Sequence, residues 1–157
     1  MNTEEILSSY KHQLNIQIRF KDIDKLGHVN NANHFTYFET GRVDYFKAVF
    51  KNRVNWVKQG MILGKIEITY KQPIFLEDTV CCYSKISRFG SKSFDIDSFL
   101  TSQNQAKKNI CAISRSTLVC IDYETKETIK LPDEWIESVI SYEKESPLFL
   151  RNTEHKS

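Results

Sequence analysis

One segment of this chain repeats like a helix, and nearly everything after it alternates like strands. From near Asn31 to near Phe50, Phe35, Phe38, Tyr45, Phe46 and Val49 recur at helical spacing. The pattern predicts a helix of about 15–18 residues with an aromatic stripe. Phe and Tyr are modest helix formers, so burial of the stripe, rather than local preference, must hold the helix. A lone aromatic helix needs a surface to bury against, and the rest of the chain must supply it.

The remaining segments read mostly as strands. "QLNIQIRF" alternates, with Leu14, Ile16, Ile18 and Phe20 on one side and Gln13, Asn15, Gln17 and Arg19 on the other. "MILGKIEITY" alternates through Ile62, Gly64, Ile66, Ile68 and Tyr70. "KQPIFLEDTV" is a turn-rich connection, because Pro73 has no N–H to give a central strand. "TVCCYSKISRF" and "SFDIDSFLTS" flank the turn "GSK", and "QNQ" marks a second turn. "NICAISRSTLVCID" is apolar on both faces in its second half, as a central strand would be. Residues 51–60 read as a loop or a short second helix. "LPDEWIESVISYEKE" reads as a short terminal helix, with Pro132 near its first position and acids in its first turn. The first dozen residues form a polar lead-in, and the tail from about Leu150 is expected to be disordered.

Late strands joined by short turns pair antiparallel. The expected architecture is therefore α+β, a curved antiparallel sheet wrapped around one helix. A five-stranded sheet leaves two edges to manage, and pairing across a dimer is one way to cover them. The 157 residues suit one domain, with a core at about 12–145.

Composition excludes several classes. A net charge of +2, with both signs interspersed, is too weak a bias to argue for nucleic acid. No apolar run approaches the ~20 residues of a membrane span. "MNTEEILSSYKHQ" lacks the basic and apolar blocks of a signal peptide, so a cytoplasmic location is expected. Cys81, Cys82, Cys111 and Cys120 form no C-x-x-C pair, which fits buried free thiols in a reducing compartment. Their spacing and the distant histidines argue against zinc, and no metal site is expected.

Polar chemistry gathers between the first strand and the helix, in "DIDKLGHVNN". Asp24 has two readings: a turn residue at a strand end, or a carboxylate positioned for chemistry. Asp22, two residues earlier, reads as structural, with a catalytic carboxylate as its other reading. Gly27 suits a positive φ or a close backbone approach. Asn30 or Asn31 is suited to cap the helix.

The stretch resembles the hotdog-fold thioesterases, in particular the 4-hydroxybenzoyl-CoA and acyl-CoA thioesterase group. Arg19, Asp22, Asp24, Gly27, His28, Val29, Asn30, Asn31, Tyr37, Glu39 and Arg42 match that group's opening motif, while His34 stands where the pattern has an aromatic ring. "ITYKQPIFLEDTV" and "ISRFGSKSFDID" resemble two later stretches of the group, and the likeness spans about residues 12–135. The resemblance implies a long helix wrapped by a five- or six-stranded antiparallel sheet, assembled as a homodimer or homotetramer.

It also implies hydrolysis of an acyl thioester. Asp24 falls on the group's catalytic carboxylate, which attacks the thioester directly or activates a water. The backbone N–H of Asn31, at the helix start, falls on the donor to the carbonyl oxygen, where negative charge develops. His28 either packs in the loop or takes part; in a related plant group an Asn accompanies it, where this chain has Leu26. Glu39 pairs with Arg42 on a solvated face, or supplies a second helical carboxylate. Arg88, Lys92 and Ser93, around the "FGSK" turn, either are solvated or meet the nucleotide or pantetheine arm of CoA. The implied substrate is an acyl-CoA or an acyl carrier protein, with no cofactor beyond the CoA of the substrate. A non-catalytic acyl-CoA-binding module is the other expectation.

Overall fold

The structure is a computed structural model that describes residues 2–104 and 107–149. The tail from Leu150 lies outside the described residues. In chain order the elements are α1 (Thr3–Ser8), β1 (His12–Ile16), a 3-10 turn (Phe20–Asp22), α2 (Asn31–Phe50), β2 (Gln59–Tyr70), β3 (Thr79–Phe89), β4 (Ser93–Asn104), β5 (Lys107–Asp122), α3 (Asp133–Glu143) and β6 (Leu148–Phe149). The polar lead-in forms α1, which starts with a capping box: the Asn2 side chain and the Glu5 side chain each accept from the other's N–H.

Strand order is β1-β3-β4-β5-β2, all antiparallel, and the two-residue β6 adds parallel to the end of β3. The expected α+β arrangement is present, with six strands. β5 lies between β4 and β2, as its two apolar faces require. β4 runs through Asn104, paired with Lys107, so Gln103 and Asn104 of the expected second turn are strand residues, and Gln105 lies outside the described residues.

The long helix α2 has 20 residues and packs chiefly on β3, β1 and α3, and to a lesser extent on β4. His34, Tyr37, Phe38, Gly41, Tyr45 and Phe46 lie buried at helical spacing. Phe35 is the correction to the expected stripe: it is 47% exposed, and His34 takes the inward position instead. At Gly41 the helix comes so close to the sheet that an added Cβ would lie 2.4 Å from the Cys82 Sγ. The N-terminal half of α2 packs with Ile16, Val29, Ile74, Val80 and Leu100. Its C-terminal half packs with Phe89, Phe94, Leu118 and Trp135, the last from α3. Each large side chain removed from water contributes about 1.5–3 kcal/mol, so these two clusters supply what the aromatic helix lacks in propensity.

Two strand readings shift. β1 ends at Ile16, and Phe20 begins the 3-10 turn with 84% exposure rather than continuing the inward face. In β2 a bulge between Leu63 and Lys65 changes parity: Met61 and Leu63 line the helix side before it, and Ile66 and Ile68 turn inward after it. Simple alternation would have placed Ile62 inside, and it is 45% exposed. β2 pairs with β5 alone among the described residues, so a 12-residue edge stays open. Residues 51–58 are turns, with the helix closed by Lys51 at φ 51°. Pro132 occupies the N-cap of α3 rather than its first turn.

All four cysteines are free, and burial pushes the thiols of Cys82 and Cys120 up to about 12. Among the described residues no group of three His, Cys, Asp or Glu gathers as a metal site would need. None of the described helices is long and apolar enough to cross a membrane.

Candidate active site

The junction between β1 and α2 is built around Asp22. Its carboxylate accepts from Arg19 Nη2–H at 2.9 Å, from the Arg19 backbone N–H at 3.0 Å and from the Tyr37 hydroxyl at 2.7 Å. Its backbone carbonyl accepts from Asn30 N–H at 2.9 Å and from Asn33 Nδ2–H at 3.1 Å. Burial pushes the Asp22 carboxyl upward, but the Arg19 and Tyr37 bonds outweigh it and hold the group below the usual carboxylate range. One buried residue thus ties the end of the strand to the start of the helix, in keeping with its structural reading.

Residues 23–29 form a small hairpin pinned by the Ile23–Val29 bridge. Asp24 N–H donates to His28 O at 3.0 Å and Gly27 N–H to Asp24 O at 3.0 Å. The turn needs a positive φ, and Gly27 supplies it at +86°. The Asp24 carboxylate accepts from Leu26 N–H at 2.8 Å through Oδ1; its Oδ2 makes no hydrogen bond among the described residues. Asp24 therefore serves as the turn residue of one reading while keeping one oxygen free for the other.

The hairpin delivers the chain into α2. Val29 N–H donates to Ile74 O at 2.8 Å. Asn30 is the N-cap, in extended conformation, and its side chain accepts from Ala32 N–H at 2.9 Å. Asn33 N–H donates to Asn30 O. The remaining amide of the first turn, Asn31 N–H, has no acceptor among the described residues. Asn31 lines a cleft of about 290 Å³ together with His28, His34, Tyr70, Gln72 and Pro73, among others. His28 also meets the Phe75 ring edge-on, with centroids 6.4 Å apart.

Sequence reasoning named His28 and Asn31 here but gave no role to His34 or Tyr70. His34 is 3% exposed and half encircled by Tyr37 and Tyr70. The available signal was positional: His34 lies one helical turn after Asn30, on the face that carries Tyr37 and Phe38.

Other expected site residues stand apart. Glu39 lies eight residues along the helix, about 12 Å from Asn31 at ~1.5 Å per residue. It sits 3.9 Å from Arg42 and lines a second, larger cleft of about 430 Å³ with Phe46, Trp56, Met61 and Leu63. Arg42 is buried there; desolvation lowers its pKa, while Glu39 opposes the shift. Arg88, Lys92 and Ser93 lie at the β3–β4 turn. β3 meets the β1 end at Val80, and Phe89 is nine residues further along. At ~3.3 Å per residue that is about 30 Å from the junction. Arg88 sits 3.9 Å from Asp95, and Lys92 Nζ donates to Thr128 Oγ1 at 3.4 Å. Within one chain the turn and the junction do not meet.

A six-stranded sheet curled on one long helix defines the hotdog class of proteins. The model of the thioesterase-like superfamily matches residues 18–139, and the chain belongs to that family. It is similar to the long-chain acyl-CoA thioesterase FadM of Escherichia coli (strain K12), at 26% identity over 78% of this chain and 92% of that protein. It is equally similar to YsmA of Bacillus subtilis (strain 168), at 26% identity over 89% of this chain and 92% of the relative. Among solved structures it resembles a thioesterase from Thermus thermophilus complexed with coenzyme A and Zn. That match has a TM-score of 0.74 and 25% identity, covering 87% of this chain and 96% of the other.

Proposed function

We propose that this protein hydrolyses acyl-CoA thioesters to the free acid and CoA. The observation that carries the reading is the Asn31 N–H, a helix-start donor with no acceptor among the described residues, in a residue that lines a cleft. The likeness to an acyl-CoA thioesterase over most of both chains supports it. In the reaction, a water attacks the thioester carbonyl carbon and its proton passes to a carboxylate, for which Asp24 is the candidate. The carbonyl oxygen takes up negative charge and accepts from Asn31 N–H, where the helix dipole adds to the attraction. Collapse of the intermediate breaks the C–S bond and releases the CoA thiolate. Direct attack by the Asp24 carboxylate, followed by hydrolysis of the anhydride, is the other route.

The assembly belongs to the same proposal. An exposed β2 carrying Ile62, Leu63 and Tyr70 at 41–45% exposure suits two-fold pairing with a second copy. Antiparallel pairing of two β2 edges lays the Gln59 end of one beside the Tyr70 end of the other. The apolar cleft at Met61 and Leu63 then adjoins the other copy's helix start and offers room for an acyl chain. Arg88, Lys92 and Ser93 would reach CoA only from a neighbouring subunit.

One observation favours the second reading, a binding module without catalysis. The Asp24 carboxylate is engaged in its own turn, and the residues lining the helix-start cleft do not include it. A panel of acyl-CoA and acyl-carrier-protein thioesters, read by free thiol release, separates the two. With Asp24→Asn, the expected result is a fall in kcat of at least about 10²-fold with acyl-CoA binding retained. No release across the panel, with acyl-CoA still bound, would establish the binding module.

A further inference from the structure

The peptide unit that carries the Asn31 amide is held from its carbonyl side by a buried histidine. Asn30 O accepts from Asn33 N–H at 2.9 Å and lies 3.4 Å from His34 Nδ1, at the long end of a hydrogen bond. A carbonyl only accepts, so this contact is a hydrogen bond in the tautomer that carries the proton on Nδ1. Nε2 makes no hydrogen bond among the described residues, and it belongs to a side chain that lines the cleft while being 3% exposed. On the other flank of Asn31, its own carbonyl accepts from the Tyr70 hydroxyl at 3.1 Å. The Tyr70 ring meets the His34 ring edge-on, with centroids 5.0 Å apart. Two ring-bearing side chains, one buried and one partly exposed, therefore contact the peptides on both sides of the donor.

We propose that His34 is a positioning residue for thioester hydrolysis: its Nδ1–H holds the Asn30–Asn31 peptide so that the Asn31 N–H stays aimed into the cleft. This rests on the reading of that amide as the oxyanion donor. The physical reason is twofold. A donor on the carbonyl of a peptide polarises its N–H and strengthens it as a donor in turn. A helix N-terminus also frays unless its first peptides are tied down, and an oxyanion donor must not reorganise during the reaction. Burial lowers the His34 pKa, the Asn30 bond opposes the shift and His28 adds to it, so the ring is neutral near pH 7 and costs no buried charge. The family's motif has an aromatic ring at this position, and a phenyl or phenol ring has no group equivalent to Nδ1–H. The device is a departure of this chain from the pattern it otherwise follows.

The test uses three side chains at position 34 and one change to the donor. His34→Phe keeps a ring but no donor, and kcat is expected to fall about tenfold at unchanged KM, the scale of one hydrogen bond. His34→Asn places an amide N–H where Nδ1 was and is expected to recover most of that loss. His34→Gln mimics Nε2 instead and is expected not to. Asn31→Pro deletes the N–H itself, and His34→Phe added to it is expected to cost nothing more, because both act through one group. Independently of turnover, long-range 1H–15N spectra are expected to show the Nδ1–H tautomer. The Asn31 amide proton is expected to move upfield in His34→Phe and to stay in place in His34→Asn. If Asn31→Pro cripples the enzyme while His34→Phe keeps parental kcat, the positioning role falls and the oxyanion reading stands. If Asn31→Pro is fully active, both fall. An Nε2–H tautomer, or recovery by Gln and not by Asn, overturns the proposal whatever the turnover.

Discussion

Replacing Asn31 by proline tests the proposed chemistry with little structural disturbance. Asn31 is the first residue of α2, the position where proline is best tolerated because its N–H has no partner inside the helix. Proline also constrains the residue before it to extended conformations, and Asn30 already has φ −60° and ψ 139°. The Asn31 N–H makes no hydrogen bond among the described residues, so deleting it breaks none there. Its carbonyl, which accepts from Tyr70, is kept. Stability should therefore change by no more than about 0.5 kcal/mol, the range of unpartnered surface positions. Activity should not survive as well. Losing one preorganised donor to a developing oxyanion costs about 2.7–4 kcal/mol, or about 10²–10³-fold in kcat. The assay is release of free thiol from acyl-CoA under saturating substrate, with the thermal midpoint measured on the same samples. Asn31→Ala is the control: it removes the side chain, keeps the N–H and should retain nearly parental kcat. Parental kcat in a folded Asn31→Pro protein would refute the assignment of this amide.

Three further outcomes are expected. Gly41→Ala should destabilise the fold by about 1–3 kcal/mol in urea unfolding, since its Cβ would lie 2.4 Å from the Cys82 Sγ in a packed layer; Gly41→Ala with Cys82→Ala should recover part of that loss. Asp22→Asn should cost about 1.5–3 kcal/mol near pH 7, the worth of hydrogen bonds to a charged group. Because the folded-state pKa of Asp22 lies below the unfolded value, that stabilisation is present above the unfolded pKa and is lost as pH falls through the folded one. The gap between parent and Asp22→Asn should accordingly close in unfolding curves taken below about pH 4. Light scattering on a sizing column should give at least a dimer at micromolar concentration, and Leu63→Lys on the exposed β2 edge should shift it toward monomer; a monomeric parent would remove the edge-pairing proposal.

Much of this fold is written locally. The aromatic recurrence of α2, the Asn30 cap and the turn at Gly27 each follow from residues within one helical turn or one hairpin of each other. The strand alternation is local too, and it implied the antiparallel order because short turns leave no other route. The motif from Asp22 to Asn31 was legible as a candidate site because its parts are contiguous in the chain. Other features depended on contacts between distant segments. The bulge after Leu63 moves Met61 inward, and only the pairing of β2 with β5 shows it. Phe35 and His34 are neighbours, and hydrophobicity alone favours burying Phe35. The helix is instead rotated so that His34 finds a carbonyl and two tyrosine rings, one of them 36 residues away. The distance between the junction and the β3–β4 turn is likewise a property of the sheet, because strand length sets it. Periodicity and capping act over a few residues, so the linear chain already specifies which elements form and where the polar junction lies. Which side chains share a cleft depends on register, bulges and helix rotation, and those are fixed only by packing across the whole molecule.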